Sequence, residues 1–376
     1  MNKVAVLHIA CGASYSNIYF ELFNVLKEKE VGFSVYVPQH YSNKKTYNED
    51  DYGFKLYSNK IIKPYDKFLY FTKIKRMEKD LISNIGLSNH DLLHAHSLFS
   101  DGGVAFSIFK KYRIPYIVAI RDTDVNKYFR MAIHLRTHAI NIMENAYKIV
   151  FLSDAYRQAV LNEYVPDKKR NSLFEKSVVI PNGINSYWLN NKHKNIKKNE
   201  KVISIIFVGQ IIKRKNIEGL LHSLNIAEKK SDKSIKLMVI GKKVDEKYFE
   251  QLKGIREFEY ISPISKEELI KYYRKSDIFA MPSHTETFGL VYAEAMSQGL
   301  PVIYTKGQGF DTQFNDGEVG YKVSATDIEG ISDKILLAYK NKKRISEACI
   351  EKVGKFDWDG IVEKYIDIYH SSKTYF

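Results

Sequence analysis

Two carboxylates eight positions apart, Glu286 and Glu294, bracket a stretch whose residue types suit the handling of a sugar and a phosphate. Glu286 stands just ahead of a helix-favouring run over 290–298, and Glu294 falls about two turns along it at 3.6 residues per turn. Both could lie along one side of one cleft and accept hydrogen bonds from the hydroxyls of a sugar and a ribose. The free N–H groups at the helix start would then hold a diphosphate between them. The spacing alone fits equally a helix-start charge and an exposed helix glutamate.

A strand–loop–helix–strand unit must position these groups. Ile278 to Met281 is a short apolar run ended by Pro282 and Ser283, which suits a buried parallel strand. Polar residues follow to Thr287, the helix stops at Gly299 with Pro301 beyond it, and residues 302–305 form a second strand. The loop of such a unit opens at the carboxyl end of its strand, where anions are favoured.

The pattern Pro282-Ser283-x-x-Glu286-x-Phe288-Gly289-x-x-x-x-Glu294-Ala295-Met296-x-x-Gly299-x-Pro301-Val302 resembles the signature of family 4 of the nucleotide-sugar glycosyltransferases. The resemblance implies an α/β chain of the GT-B fold, two Rossmann-like domains facing a central cleft. It also implies retention of the anomeric configuration, no metal, and no cofactor beyond a nucleotide diphosphate-sugar co-substrate. Residues 1–189 form the acceptor-side domain, 190–201 a lysine-rich linker, 202–355 the donor domain, and 356–376 a helix crossing back to the first domain.

Carried onto this chain, the resemblance gives Glu286 the donor sugar and Glu294 the ribose, with Thr287, Phe288, Gly289 and Leu290 around the diphosphate. Family members carry glycine-arginine after the first strand of the donor domain and a lysine five positions after the arginine. Here Gly209 is followed by Gln210, Lys215 keeps the lysine position, and Arg214 supplies the missing charge. Cations suit this place because a departing diphosphate gains negative charge. Pro263 borders the base, with Lys242 and Lys243 near the nucleotide.

On the acceptor side, Gly12 follows the first strand and would allow close backbone approach to a ligand. Asp91-Leu92-Leu93-His94-Ala95-His96 resembles the family's Asp-(apolar)2-His-x-His segment, so His96 either orients loops near the acceptor or is a hydrogen-bonded structural histidine. Arg121 stands where many members carry histidine. It could donate to a sugar, a phosphate or an acidic group, or pair with Asp122 or Asp124.

The chain has 376 residues, 44% of them hydrophobic, which fits two packed domains and excludes global disorder. Its two cysteines, Cys11 and Cys349, lack metal-ligand spacing, and a reducing cytoplasm is expected. No targeting or membrane-spanning segment is legible. The net charge of +14 admits three partners: nucleic acid, an anionic membrane surface, or phosphate-bearing substrates. Absence of zinc-finger spacing and of an RNA-recognition pattern speaks against nucleic acid. Residues 38–76 suggest a short hairpin and a surface helix. Their aromatics among cations (Tyr65, Phe68, Tyr70, Phe71, Lys73, Lys75, Arg76) read either as an acceptor-side or membrane-surface patch or as core rings beside solvated lysines.

The expected activity is transfer of a hexose-type sugar from a nucleotide diphosphate donor, a UDP-sugar, to a hydroxyl of a cell-surface glycan, free or carried on lipid. The place expected for it is the cytoplasm, peripherally at the inner face of the plasma membrane. Two rivals stand: a nucleotide-sugar epimerase of the same fold, and an idle sugar-nucleotide-binding partner, supported by the departures at Gln210 and Arg121.

Overall fold

A computed structural model describes residues 4–47, 52–194 and 201–373. The chain forms two compact units. The first comprises residues 1–152, 156–183 and 358–376, and the second residues 153–155 and 184–357. The chain thus changes unit at Gly183 and Ile184, ahead of the 190–201 segment read as linker. Residues 195–200 of that segment lie outside the described residues.

In the first unit the strands are β1 (Val6–Ile9), β2 (Phe33–His40), β3 (Lys55–Ile62), β4 (Leu92–Ala95), β5 (Tyr116–Ile120), β6 (Lys148–Phe151) and β7 (Ser177–Val179). They make one sheet in the order β3-β2-β1-β4-β5-β6-β7, parallel throughout. β2 and β3 therefore do not form the expected hairpin. A hairpin needs a tight turn of two to about five residues. Here Ser34 pairs with Lys55 and Val35 with Leu56, in parallel register.

Because side chains alternate along a strand, the sheet has two apolar faces. Leu7, Ile9, Leu93, Val118 and Phe151 pack on one. Val6, Val35, Leu92, Ile117 and Val150 pack on the other, under α1 (Ile18–Glu28) and α14 (Trp358–Ser372). α14 docks through Trp358, Ile361, Val362, Tyr365 and Tyr369, a helical stripe at spacings of three and four. Burying each such side chain stabilises by about 1.5–3 kcal/mol, which is how this final helix joins the first unit. α6 (Asp167–Lys176) escaped the sequence reading because only Leu173 is buried and no apolar stripe marks it.

The second unit holds β8 (Val202–Val208), β9 (Ser234–Ile240), β10 (Glu259–Ile261), β11 (Ile278–Ala280), β12 (Val302–Thr305) and β13 (Gly320–Val323), ordered β10-β9-β8-β11-β12-β13 and again parallel. Asn216 caps α8 (Ile217–Ser231), its side chain accepting from Gly219 N–H at 3.2 Å. α11 (Leu290–Ser297) is the helix expected after Glu286. Both units are Rossmann-like, as the sequence implied.

Candidate active site

Strand order in the second unit turns at β8 and β11, neighbours at the centre of the sheet. Ligands of open parallel sheets favour the carboxyl ends of strands at such a point. The loops after β8 and β11 meet there. Lys215 and Glu286 form a buried ion pair, Lys215 Nζ donating to Glu286 Oε2, with the residues only 8% and 7% exposed. Lys215 reaches it because the backbone folds into a tight 3-10 turn over residues 213–215 and then a left-handed residue, Asn216, at φ 53°. The Asn216 amide donates to the carbonyls of Pro282 (2.9 Å) and Ala325 (2.7 Å), tying the two loops together.

Glu286 is held from the other side. Its N–H donates to Gln308 Oε1 at 2.9 Å, and its Oε1 accepts from Thr287 N–H at 3.1 Å. Gly289 begins α11 in the left-handed region at φ 73°, where a Cβ would meet the Tyr292 ring at 2.4 Å. Gly309 lies flat on the same loop, and a Cβ there would sit 1.7 Å from the Thr287 carbonyl oxygen. Phe288 is buried among Phe310 and Phe356, so its side chain is packing and only its backbone faces the loop. Glu294 is partly exposed on α11, and burial of its carboxyl raises its pKa to about 7, opposed by a hydrogen bond with Tyr273.

The neighbouring cations Arg214 and Lys215 part company. Arg214 is exposed and donates to the Thr285 carbonyl at 2.7 Å. It lines a separate cavity of about 610 Å³ with Lys213, His222, Tyr248 and His284. Gln210 and Pro263 are exposed and Gly209 is partly so. Lys243 turns back over the Phe249 and Tyr260 rings at 3.9 and 4.7 Å and pairs with Glu246. Gln308, Tyr273 and Asn216 were absent from the sequence reading. They are ordinary polar residues whose role appears only when distant loops meet.

In the first unit the acceptor-side residues gather near the carboxyl ends of β1, β4 and β5. Asp124 is 1% exposed, and its carboxylate accepts from the N–H groups of Leu98 (3.0 Å), Phe99 (3.1 Å) and Arg121 (2.8 Å). Burial nonetheless raises its pKa to about 6. Arg121 donates through Nε to the His96 carbonyl at 3.1 Å and through Nη1 to Asn182 at 3.2 Å. Of the partners considered from sequence, then, Asp124 takes the Arg121 backbone rather than its guanidinium. The space above Gly12 is filled by Tyr19, whose hydroxyl lies 2.4 Å from where a Cβ would stand. Asp101, missed in the sequence, accepts from Cys11 N–H (3.2 Å) and Ser97 Oγ (2.9 Å), and burial raises it to about 6.

His96 is fully buried, and so are His94 and His8, which pair across β4 and β1. One ring N–H joins His8 Nδ1 and His96 Nε2 at 2.9 Å, and His94 Nδ1 meets Tyr369 Oη at 2.8 Å. Burial drives His8 down to about 3 and His94 and His96 well below the usual histidine range, so all three are neutral. Their ligand atoms lie within 4.8 Å of one another, the one such group among the described residues. The His94 and His96 rings stack at 4.0 Å and 21°, and those of His8 and His96 at 5.2 Å and 22°. His8 Nδ1 and His96 Nε2 point at each other and His94 Nδ1 at Tyr369, whereas one ion needs three ring nitrogens converging on it at about 2.0–2.1 Å. The cluster is sheet packing, and His96 is the structural histidine rather than a group facing a substrate.

Residues 190–355 match the family model described as glycosyl transferases group 1. An uncharacterized glycosyltransferase of Methanocaldococcus jannaschii is 26% identical, the match covering 83% of this chain and 85% of that one. These matches support a family 4-like group 1 glycosyltransferase. The transferase superposes on sucrose-phosphate synthase of Thermosynechococcus elongatus with a TM-score of 0.76 at 17% identity, covering 100% of both chains. It also superposes on Anabaena HepE, solved in complex with UDP-glucose, with a TM-score of 0.68 at 13% identity, covering 98% of this chain and 99% of that one. The GT-B fold accounts for both likenesses.

Proposed function

We propose that the transferase moves a hexose-type sugar from a UDP-sugar to a hydroxyl of a lipid-linked, assembling glycan, with retention of configuration. The observation that carries this reading is the buried Lys215–Glu286 pair between the loops after β8 and β11, beside the first turn of α11. In the free protein each group neutralises the other. A donor diphosphate draws Lys215 and the N–H groups at the start of α11 onto its oxygens, which leaves Glu286 to the sugar. The bond from the anomeric carbon to the phosphate oxygen breaks, and the electron pair leaves with the diphosphate toward Lys215. Glu286 favours the positive charge growing on the sugar, the acceptor oxygen bonds to the anomeric carbon, and its proton goes to the departing phosphate. Glu294 accepts from the ribose hydroxyls. Lys215 and the helix supply the countercharge, so no metal ion is needed, and chelation with EDTA is expected to leave transfer unchanged. The donor in the HepE complex, UDP-glucose, supports uridine as the base.

Calorimetry against UDP, GDP, ADP and their sugar conjugates tests this. Selective UDP-sugar binding that is lost in Lys215→Met supports it, and an unchanged anomeric configuration in the product, read by NMR, completes it. Binding of the nucleotide without hydrolysis or transfer in any acceptor mixture would instead favour the idle-partner reading.

A further inference from the structure

The first unit exposes an apolar patch where a water-soluble surface would carry polar side chains. Phe68 is 77% exposed and Leu69 48%, in the turn that follows β3, and Phe71 is 56% exposed in the first turn of α2 (Tyr70–Asn84). Met131 is 77% exposed and Ile133 64%, in the segment after β5 that leads into α4 (Arg136–Asn145). The two groups adjoin. The Phe71 and Tyr70 rings contact His138 of α4 at 5.2 and 5.5 Å, and Ala132 N–H donates to the carbonyl of Tyr128, whose ring lies 5.9 Å from Lys73 Nζ of α2. Both segments follow strand ends on the carboxyl side of the sheet, the side of Asp101, Asp124 and Arg121.

The rim of the patch is basic. Lys67, Lys75, Lys127 and Arg130 are exposed around it. Asp66 is the only carboxylate between residues 63 and 76, and it is 4% exposed under Arg76, while residues 127–136 contain none. Two copies of this face would set like charges against each other in a self-complementary contact. An anionic bilayer instead accepts the apolar tips below its headgroups and the cations among them. No helix among the described residues is long and apolar enough to cross a membrane.

We infer that this rim, with Phe68, Leu69, Phe71, Met131 and Ile133 inserted and Lys67, Lys75, Lys127 and Arg130 on the headgroups, docks the transferase on an anionic lipid surface. The inference takes its purpose from the lipid-linked acceptor proposed above, because docking brings the acceptor side of the sheet to the membrane. The sequence marked the first segment only; the second joins it through α4.

Co-sedimentation of the full chain with phosphatidylcholine vesicles, and with vesicles about one-third phosphatidylglycerol, tests it at low and high salt. The wild type is expected to bind the anionic vesicles and to be released by salt. Phe68→Ser with Phe71→Ser, and Met131→Ser with Ile133→Ser, are expected to keep the melting temperature and transfer to a water-soluble acceptor while partitioning about tenfold less. Lys67→Glu with Lys75→Glu is expected to remove the preference for anionic vesicles. Failure of the wild type to bind, or serine pairs that bind as tightly as the wild type, would overturn the inference. So would serine pairs that turn a dimer into a monomer without changing vesicle binding, which would make a second copy the occupant. Loss of transfer in the wild type breaks the proposed reaction and leaves the vesicle result standing.

Discussion

The two sheets treat buried polar groups in opposite ways. In the first, His8, His94 and His96 sit in the apolar face itself and are neutral, while Asp124 accepts from three backbone N–H groups and Asp101 from one backbone N–H and the Ser97 hydroxyl. In the second, buried polar pairs are charged: Lys215 meets Glu286 past the strand ends, and Lys342 meets Asp277 at 2.6 Å. Neutral imidazoles escape the desolvation cost of an ion, although His8 Nε2, His94 Nε2 and His96 Nδ1 are each buried without a hydrogen-bond partner. A charged pair costs desolvation at both partners and is often worth less to stability than a well-packed apolar pair. Keeping one at the mouth of a strand–helix loop makes sense where a charged ligand will divide it.

The comparison breaks most sharply at the charged pair. Glu286→Gln and Lys215→Ala are each expected to slow transfer by about a hundredfold or more, about 3–4 kcal/mol in the barrier. Each also leaves a buried charge or a cavity, with an unpaired partner costing on the order of 3–5 kcal/mol of stability. Lys215→Met combined with Glu286→Gln should recover most of the melting temperature and remain inactive. Turnover near that of the wild type in these variants would remove the pair from the chemistry.

The histidine cluster sharpens the contrast through pH. Its pKa values are lowered in the folded state, so the unfolded chain binds more protons. The stability it contributes is present above about pH 6.5 and is lost as pH falls toward 3. Asp101 and Asp124, raised to about 6, pull the other way between roughly pH 4 and 6, so the slope there is shallower than the histidines alone would give. His94→Asn removes one titrating group. The advantage of the wild type over it should shrink by about 1.4 kcal/mol per pH unit below pH 6.5, read from denaturant melts. A constant difference would mean that the imidazole takes up its proton as readily in the folded chain as in the unfolded one.

Gly309→Ala probes the loop that carries Glu286. A Cβ 1.7 Å from the Thr287 carbonyl forces the loop to shift, at about 1–3 kcal/mol of stability. Donor affinity, read by calorimetry, should fall more than the rate at saturation. Arg214→Ala is expected to be the mildest change. An exposed hydrogen bond to Thr285 is worth at most about 1 kcal/mol, so kcat/KM should fall less than tenfold. A loss as large as that of Lys215→Ala would place Arg214 on the diphosphate after all.

Much of the architecture was legible because long parallel strands write themselves as apolar runs. Val202–Val208 and Ile278–Ala280 could hardly be anything else. The parallel pairing of β2 with β3 was not legible, since residues 38–54 carry no periodic signal and a hairpin would look the same. α6 was silent for the same reason, with one buried residue in ten.

By itself the sequence determined the two-unit α/β plan and the local device of Glu286, a left-handed glycine and a helix start, because these depend on neighbours within one turn or one loop. Tertiary structure alone decided that Lys215 meets Glu286 from 71 positions away and that Arg214 does not. It also decided that His8 joins His94 and His96 across two strands to make a dry, neutral cluster. Burial and pairing come from packing between distant segments, and a side chain's charge follows from both.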